Sequence, residues 1–173
     1  VREARHLLVA RDDRPTGGQD ALGLGVALRG RQRRDHVVQD RVRRLEAELA
    51  FTHLPEIKPH VVGLQIHDGR DDVATLRLEG TDLWVTKGDR KQTLIATGYT
   101  LGTRLKVRFE ASAAGIRWFL NGGHVATIDG TYHGCYAKAG CYTQASSRVD
   151  EDSDKYGTGY GEVVIYALTK ETA

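Results

Sequence analysis

Hydrophobic and polar residues alternate through most of the chain from residue 47 onward. The runs are "HVVGLQIHD", "DVATLRLEG", "DLWVTK", "TRLKVRFEAS", "GIRWFLNGGHVATID", "CYAKAGCYTQ" and "GEVVIYALT", with Gly, Asp, Asn and Ser between them. They are short and rich in β-branched and aromatic residues, which is typical of strands. Because little helical periodicity separates them, the pattern predicts an all-β fold, an antiparallel β-sandwich of the jelly-roll type.

Two local signals refine this pattern. The run "FLNGGHVATI" predicts a hairpin that turns at Asn121 and Gly122, because both residues tolerate positive φ. Pro55 and Pro59 flank "PEIKP", which should stay extended and outside the central ladder, since proline has no amide hydrogen to donate.

The first part of the chain has a different composition. Residues 1–50 contain eleven arginines and no lysine, whereas the remainder contains seven of each. We therefore predict an atypical Arg-rich segment of uncertain structure over 1–44 and a jelly-roll domain over 45–173, within one domain overall. Acids and bases at helical spacings in "GRQRRDHVVQDRVRRLEAELA" predict an exposed helix over 30–50, which we favour over a nucleic-acid-binding arm.

The run at residues 134–144 has two different faces. Successive strand residues point to opposite sides. One side then carries Tyr136, Lys138, Gly140, Tyr142 and Gln144, and the other carries Cys135, Ala137, Ala139, Cys141 and Thr143. The two cysteines would lie about 20 Å apart on one extended strand, which is too far for a disulfide.

Two other predicted strands show the same contrast. In "VVGLQIHDG", alternation points Val62, Leu64 and Ile66 into the core and leaves Gly63, Gln65 and His67 on the polar face. In "VATLRLEG", Arg77 shares a face with Val73 and Thr75. Polar faces on neighbouring strands predict a concave polar groove suited to a polar chain such as a polysaccharide. Each signal alone also fits a structural histidine or an exposed sheet face without a ligand.

Composition excludes several classes of partner. The formal charge is +2 and no apolar run reaches the roughly 18 residues of a membrane span, so we expect neither nucleic-acid nor membrane binding. His53, His60 and His67 have a spacing that fits no zinc signature, and we expect no metal and no cofactor. No secretory hydrophobic region opens the sequence. We expect a secreted or periplasmic monomer whose signal peptide is absent from this sequence.

Several motifs in a fixed order resemble a known family. "QIH" at 65–67, "DVATLRLEG", "YAKAGCYTQ" at 136–144 and "YGEVVIY" at 160–166 look like the strand motifs of the alginate lyases of polysaccharide lyase family 7. "THLPEIKPHVV", "YTLGTRLKV" and "FLNG" are also similar to the family. The resemblance covers roughly residues 45–170. It implies a carbon–oxygen lyase that binds the acidic polysaccharide alginate and cleaves it by β-elimination.

The resemblance also implies roles for individual residues. The proton at C5 of a uronate becomes acidic when its carboxylate is neutralised. Gln65 resembles the family's carboxylate-binding glutamine, and His67 resembles the histidine that accepts the C5 proton. Tyr142 matches the tyrosine that gives a proton to the leaving oxygen and, for some uronate epimers, also acts as base.

The same comparison with the family assigns substrate-binding residues. Tyr136, Lys138 and Gln144 would line the groove, with Lys138 as the expected cationic neighbour of Tyr142. Arg77 would hold a uronate at a neighbouring subsite, or would serve as an outward structural arginine. Ile66, in the middle of the Q-I-H motif, hints at guluronate-containing blocks.

The N-terminus departs from the family. The family strand R-S/T-E-L/V-R supplies an arginine that helps to neutralise the substrate carboxylate. The nearest text here is "VREAR" at 1–5, in which Glu3 and Arg5 match while Val1 stands in the first arginine position. We take Arg5 as the candidate catalytic arginine. The mismatch leaves two alternatives to an alginate lyase: a non-catalytic carbohydrate-binding jelly roll, and a lyase acting on another polyuronate such as glucuronan.

Overall fold

The computed structural model describes residues 8–12, 26–27, 43–56, 58–68, 71–88, 90–132, 135–144 and 159–172. These residues form twelve strands and no helix: β1 (Leu8–Asp12), β2 (Val26–Ala27), β3 (Arg43–His53), β4 (His60–His67), β5 (Asp72–Glu79), β6 (Asp82–Lys87), β7 (Arg90–Ala96), β8 (Leu105–Ser112), β9 (Gly115–Leu120), β10 (Gly123–Asp129), β11 (Tyr136–Thr143) and β12 (Gly161–Thr172). No helix that could cross a membrane is therefore found in these ranges.

The strands form two six-stranded sheets. The first sheet has the order β1-β12-β3-β8-β9-β10, and the second has the order β2-β11-β4-β5-β6-β7. Every pairing within them is antiparallel. The predicted all-β antiparallel sandwich of the jelly-roll type is confirmed.

The hydrophobic core lies between the two sheets. Its largest fully buried side chains are Trp118, Phe51, Leu45, Leu49, Leu64, Leu76, Leu78, Leu83, Ile116, Ile128, Ile165 and Val61. Burying each such side chain contributes about 1.5–3 kcal/mol. Both sheets supply these residues, so the core fixes the second sheet, which carries the candidate site, against the first.

The predicted helix over 30–50 is wrong for residues 43–50, which belong to strand β3. Their burial alternates with period two: Leu45, Ala47 and Leu49 are buried, whereas Arg44, Glu46 and Glu48 are half-buried. The acids and bases that suggested helical pairs are bonded along and across strands instead; Glu46 contacts Lys106 of β8 at 2.9 Å. Residues 30–42 lie outside the described part of the chain.

The predicted turn at Asn121 and Gly122 is confirmed. Both residues have positive φ, 50° and 90°, and β9 pairs directly with β10 from Leu120 to Gly123. Pro55 and Pro59 lie between β3 and β4 and outside the ladder, as predicted. These turns set the registers of the strands that they join.

Tyr99 holds the loop at residues 97–104 against the core. Its hydroxyl accepts a hydrogen bond from the amide of Phe51 at 3.0 Å and donates one to the carbonyl of Thr103 at 2.6 Å. Burial raises the pKa of Tyr99, and the hydrogen bond with the Phe51 backbone acts in the opposite direction. The rings of Phe51 and Tyr99 also meet edge to face, with centroids 5.9 Å apart.

Two further predictions concern the N-terminal part and the cysteines. From residues 1–44, β1 pairs with β12 and β2 pairs with β11. The boundary at residue 44 stays a prediction. Cys135 and Cys141 are buried and are not joined by a disulfide.

Candidate active site

Three adjacent strands of the second sheet bring the predicted polar residues onto one face. In the pairing of β11 with β4, Tyr136 lies opposite His67 and Lys138 lies opposite Gln65. In the pairing of β4 with β5, Gln65 lies opposite Thr75. The "QIH" and "YAKAGCYTQ" motifs, two of those that resemble the lyase family, are therefore direct neighbours in the sheet.

A bulge at Gly63 changes which residues of β4 face the groove. The register shifts by one residue between Val62 and Leu64, so strict alternation fails there. A Cβ atom at Gly63 would lie 2.9 Å from Cζ of Phe51 in the core. The predictions that Gly63 is on the polar face and that Val62 points into the core are wrong. Val62 is buried but lines the polar pocket, where it lies opposite Tyr142.

A second shift corrects the predicted face of Val73. Between Ile66 and His67, β5 contains one extra residue, Val73, relative to β4. Val73 packs in the hydrophobic core, whereas Thr75 and Arg77 line the pocket. The predicted alignment of Arg77 with Thr75 is confirmed, and only Val73 is misplaced.

The polar face contains a pocket of about 100 Å³. Four predicted site residues line it: Gln65, Arg77, Tyr142 and Gln144. The lining is completed by four residues that were not predicted as site residues: Val62, Asp71, Asp72 and Thr75. Tyr142 is 42% exposed, so the residue is open to solvent at the pocket.

His67 lies beside this pocket without lining it. It is two residues beyond Gln65 on the same strand, and it lies opposite Tyr136. Gln65 and Lys138 stand between His67 and Tyr142 in the register. A ligand that contacts both His67 and Tyr142 must therefore extend past Gln65.

The hydrogen bonds of His67 determine which ring nitrogen can accept a proton. Nδ1 lies 2.6 Å from the carbonyl oxygen of Asp68 and 3.3 Å from the hydroxyl of Tyr136. A carbonyl oxygen only accepts hydrogen bonds, so Nδ1 carries the hydrogen in the neutral ring. Nε2 is then the unprotonated nitrogen, as a general base requires.

Lys138 contacts Tyr136 in the structure. Its Nζ lies 5.3 Å from the centroid of the Tyr136 ring, and that ring packs against His67 with centroids 5.4 Å apart. Lys138, Tyr136 and His67 therefore form one stacked group next to the pocket. An effect of Lys138 on Tyr142 stays a prediction, as does the role of Arg5, which lies outside the described residues.

Arg77 belongs to an ionic cluster at the edge of the pocket. Its Nη2 contacts Oε1 of Glu79 at 2.6 Å, and Lys91 of β7 contacts Oε2 of the same carboxylate. Nε2 of His60 lies 3.8 Å from this oxygen. Burial would raise the pKa of Glu79, but the hydrogen bond from Lys91 and the nearby positive charges lower it overall. Burial lowers the pKa of His60, against the opposing effect of Glu79.

Sequence reasoning missed Glu79 and Lys91. Glu79 is two residues from Arg77, so alternation on β5 places the two on the same face, and that signal was present. Lys91 lies on β7, which was not among the predicted strands, and its approach to Glu79 depends on the sheet order. A buried hydroxyl pair, Thr75 and Thr86 at 2.6 Å, was also missed, because it depends on the pairing of β5 with β6.

Metal ligation has no support in the part of the chain that the structure describes, where no group of three or more His, Cys, Asp or Glu residues could hold an ion. The chemical groups available at the site are an amide, an imidazole, a phenol, cations and the carboxylates of Asp71 and Asp72. The amide, imidazole, phenol and cations are the groups that proton transfer next to a substrate carboxylate requires.

Comparison with known proteins decides the family. A family model described as alginate lyase matches residues 24–172. The chain belongs to this family. The match includes every strand from β2 to β12, and so the whole second sheet. No match was found among curated proteins.

Solved structures of alginate lyases are similar to this family member. An alginate lyase from polysaccharide lyase family 7, AlgAT5, is 38% identical with a TM-score of 0.71, over 80% of this chain and 62% of that protein. The alginate lyase from Corynebacterium sp. is 41% identical with a TM-score of 0.71, over 78% and 60%. A truncated AlyQ with CBM32 and alginate lyase domains is 25% identical with a TM-score of 0.67, over 79% and 42%. The chain thus spans about three fifths of the first two proteins.

Proposed function

We propose that the protein is a polysaccharide lyase that cleaves alginate by β-elimination and leaves a 4,5-unsaturated uronate at the new non-reducing end. The observation that carries this proposal is the shared pocket of Gln65 and Tyr142 in a chain of the alginate lyase family. An amide and a phenol lie on the same polar surface. Two of the similar solved structures, 38% and 41% identical, are named alginate lyases.

The proposed reaction begins at the substrate carboxylate. The amide of Gln65 donates a hydrogen bond to it, which favours the enolate-like transition state formed when C5 loses its proton. Nε2 of His67 accepts this proton. The electron pair of the C5–H bond forms the C4–C5 double bond, the bond from C4 to the glycosidic oxygen breaks, and Tyr142 gives that oxygen its proton. No cofactor is required for this balance.

The geometry favours Tyr142 as the group nearest the reacting centre. It lines the same pocket as Gln65, whereas His67 lies beside the pocket. Tyr142 therefore serves as the proton donor for all substrates, and for uronates whose C5 proton faces it, it serves also as the base.

The source of the carboxylate-neutralising arginine is a separate part of the proposal. Arg77 is the arginine that lines the pocket within the described ranges. It lies opposite Val62, which in turn lies opposite Tyr142. We assign Arg77 to a subsite adjacent to the cleaved bond and keep Arg5 as the candidate arginine for the reacting uronate.

Guluronate-containing blocks are the proposed substrate. The support is the isoleucine in the Q-I-H motif. Ile66 is 3% exposed and packs in the core beneath Gln65 and His67. It would therefore act through the position of β4 and not by touching the sugar.

The test is to mix the protein with polyguluronate and with polymannuronate and to follow the ultraviolet absorbance of the new conjugated double bond from neutral to alkaline pH. We expect absorbance to rise with both polymers and faster with polyguluronate. Absence of product with both polymers, with retained binding in calorimetry, would establish the carbohydrate-binding alternative, which the mismatch at Val1 favours. A faster rate on glucuronan would reassign the substrate. Because alginate is a polymer that does not cross membranes, we further propose that the protein acts outside the cytoplasm.

A further inference from the structure

A fixed lysine lies beside the pocket and has no part in the elimination chemistry. Lys91 begins on β7, passes over the ring of Trp84 on β6 with Nζ 4.7 Å from the ring centroid, and reaches Glu79 on β5. Its side chain is still 48% exposed. The ammonium group is therefore held in place by contacts to two strands while it stays accessible to a ligand.

Glu79 organises the charges of this cluster. Its side chain is 6% exposed and contacts both Lys91 and Arg77. One buried carboxylate thus orients two cations that are permanently charged near neutral pH, and the cluster keeps an excess of positive charge. The excess lies at the Arg77 end of the pocket, whereas the carboxylates of Asp71 and Asp72 line the pocket where β5 begins.

Arg77 also keeps donors for a ligand. A guanidinium carries five N–H donors, and the contact with Glu79 uses Nη2. The Nε atom is buried and has no hydrogen-bond partner among the described residues. Because Nε is shielded from solvent, the donors left for a ligand are those of the terminal nitrogens, on which a guanidinium binds a planar oxyanion such as a carboxylate.

We infer that Lys91 and Arg77 form a second anion-binding subsite, which takes the carboxylate of a uronate neighbouring the one held at Gln65, with Glu79 as their positioning residue. This inference rests on the proposed function. Neighbouring strands are about 4.8 Å apart, so β5 lies about 10 Å from β11 and β7 lies a similar distance further on. The cluster therefore extends the polar surface away from Tyr142 toward β7, and longer oligouronates should bind more tightly.

The experiment compares Lys91→Ala with Lys106→Ala on oligoguluronates of increasing length and on the polymer. Lys106 is a matched control because it also shares a glutamate with an arginine, on the first sheet. Loss of one charged contact to the substrate should raise the KM of Lys91→Ala about five- to tenfold on the longer substrates. The kcat should stay near the wild-type value, and Lys91→Arg should restore most of the affinity.

Each outcome separates the inference from the function on which it rests. If the wild type cleaves alginate and the KM of Lys91→Ala equals that of Lys106→Ala, the subsite is wrong and the lyase stands. If kcat falls while KM is unchanged, Lys91 serves the chemistry or the fold and the subsite is again wrong. If the wild type neither cleaves nor binds any polyuronate, the proposed function itself fails.

Discussion

The two sheets carry similar triads of charged residues in different surroundings. On the first sheet, Glu46 is shared by Arg44 of the same strand and Lys106 of the next. On the second sheet, Glu79 is shared by Arg77 of the same strand and by Lys91. In both triads the arginine precedes the glutamate by two residues. The triads differ in burial: Glu46 is 22% exposed and Glu79 is 6% exposed.

The comparison shows that charge alone does not identify a binding site. On the first sheet the ions lie on a solvated face, where Arg104 and Arg108 also pack on the rings of Tyr166 and Phe119 at 3.8 Å. On the second sheet the corresponding arginine borders a pocket that also contains Gln65 and Tyr142. Burial and a shared concave surface convert an ion-pair network into a candidate site.

The largest expected effect is the loss of the phenol from the pocket. Tyr142→Phe should lower kcat by about a hundredfold or more, because a positioned acid–base group contributes at least that much. Tyr166→Phe removes a phenol from the first sheet and should leave kcat unchanged. Initial rates on polyguluronate measure both, and circular dichroism checks the fold. Equal rates for the two variants would refute the role of Tyr142.

The loss of the imidazole next to the pocket should have the next largest effect. We expect His67→Ala to lower kcat by about a hundredfold, since it removes the proton acceptor. His124 of the first sheet, whose Nε2 lies 2.9 Å from the hydroxyl of Thr127, provides a control histidine away from the candidate site. His124→Ala should keep full activity. If His67→Ala keeps near-full activity on guluronate and mannuronate blocks alike, Tyr142 acts as base for both.

The two triads should also differ in their contribution to stability. Glu79→Gln leaves two cations near a site that has little access to water, and we expect the free energy of unfolding to fall by about 2 kcal/mol. Glu46→Gln on the exposed triad should cost less than about 1 kcal/mol. Urea unfolding of both variants measures this difference. Similar losses would mean that the burial of Glu79 does not distinguish the two triads.

The smallest expected effect is the dependence of stability on pH. The folded pKa of His60 lies below its ordinary value of 6.5, so the unfolded chain binds more protons as the pH falls below that value. The free energy of unfolding should therefore decrease there. The lowered pKa values of Glu79 and Glu46 act in the same direction, but only below about their ordinary 4.5. Urea unfolding measured from pH 6.5 down to pH 4.5 should show a decrease in the free energy of unfolding that is absent in His60→Gln. An equal decrease in that variant would show that another group causes it.

Much of the second sheet could be predicted from alternation alone. The faces of β11 are as predicted, because that strand keeps its period of two: Ala139 and Cys141 are buried while Tyr142 is exposed. Positive φ at Asn121 and Gly122 was predictable because the residue types require it. These are local properties, and a single sequence contains them.

The incorrect predictions concern features that depend on how the strands pair in three dimensions. A bulge depends on how two strands pair, so the inward turn of Gly63 could not be read from the order of residues. The charged residues of β3 fit helical spacing as well as strand spacing, and only their pairing with β8 and β12 selects the strand. The approach of Lys91 to Glu79 likewise depends on the order β5-β6-β7.

The close contact of Phe51 with Gly63 links the hydrophobic core to the strand that carries the candidate site. The ring lies directly beneath Gly63 of β4, and the ring of Tyr99 packs edge to face against it. A smaller residue at position 51 would let that stretch of backbone sink, and a larger one would lift it. Efforts to stabilise the protein by repacking its interior will thus alter the geometry of the candidate site whenever they involve this aromatic ring, even though the ring lies in the core.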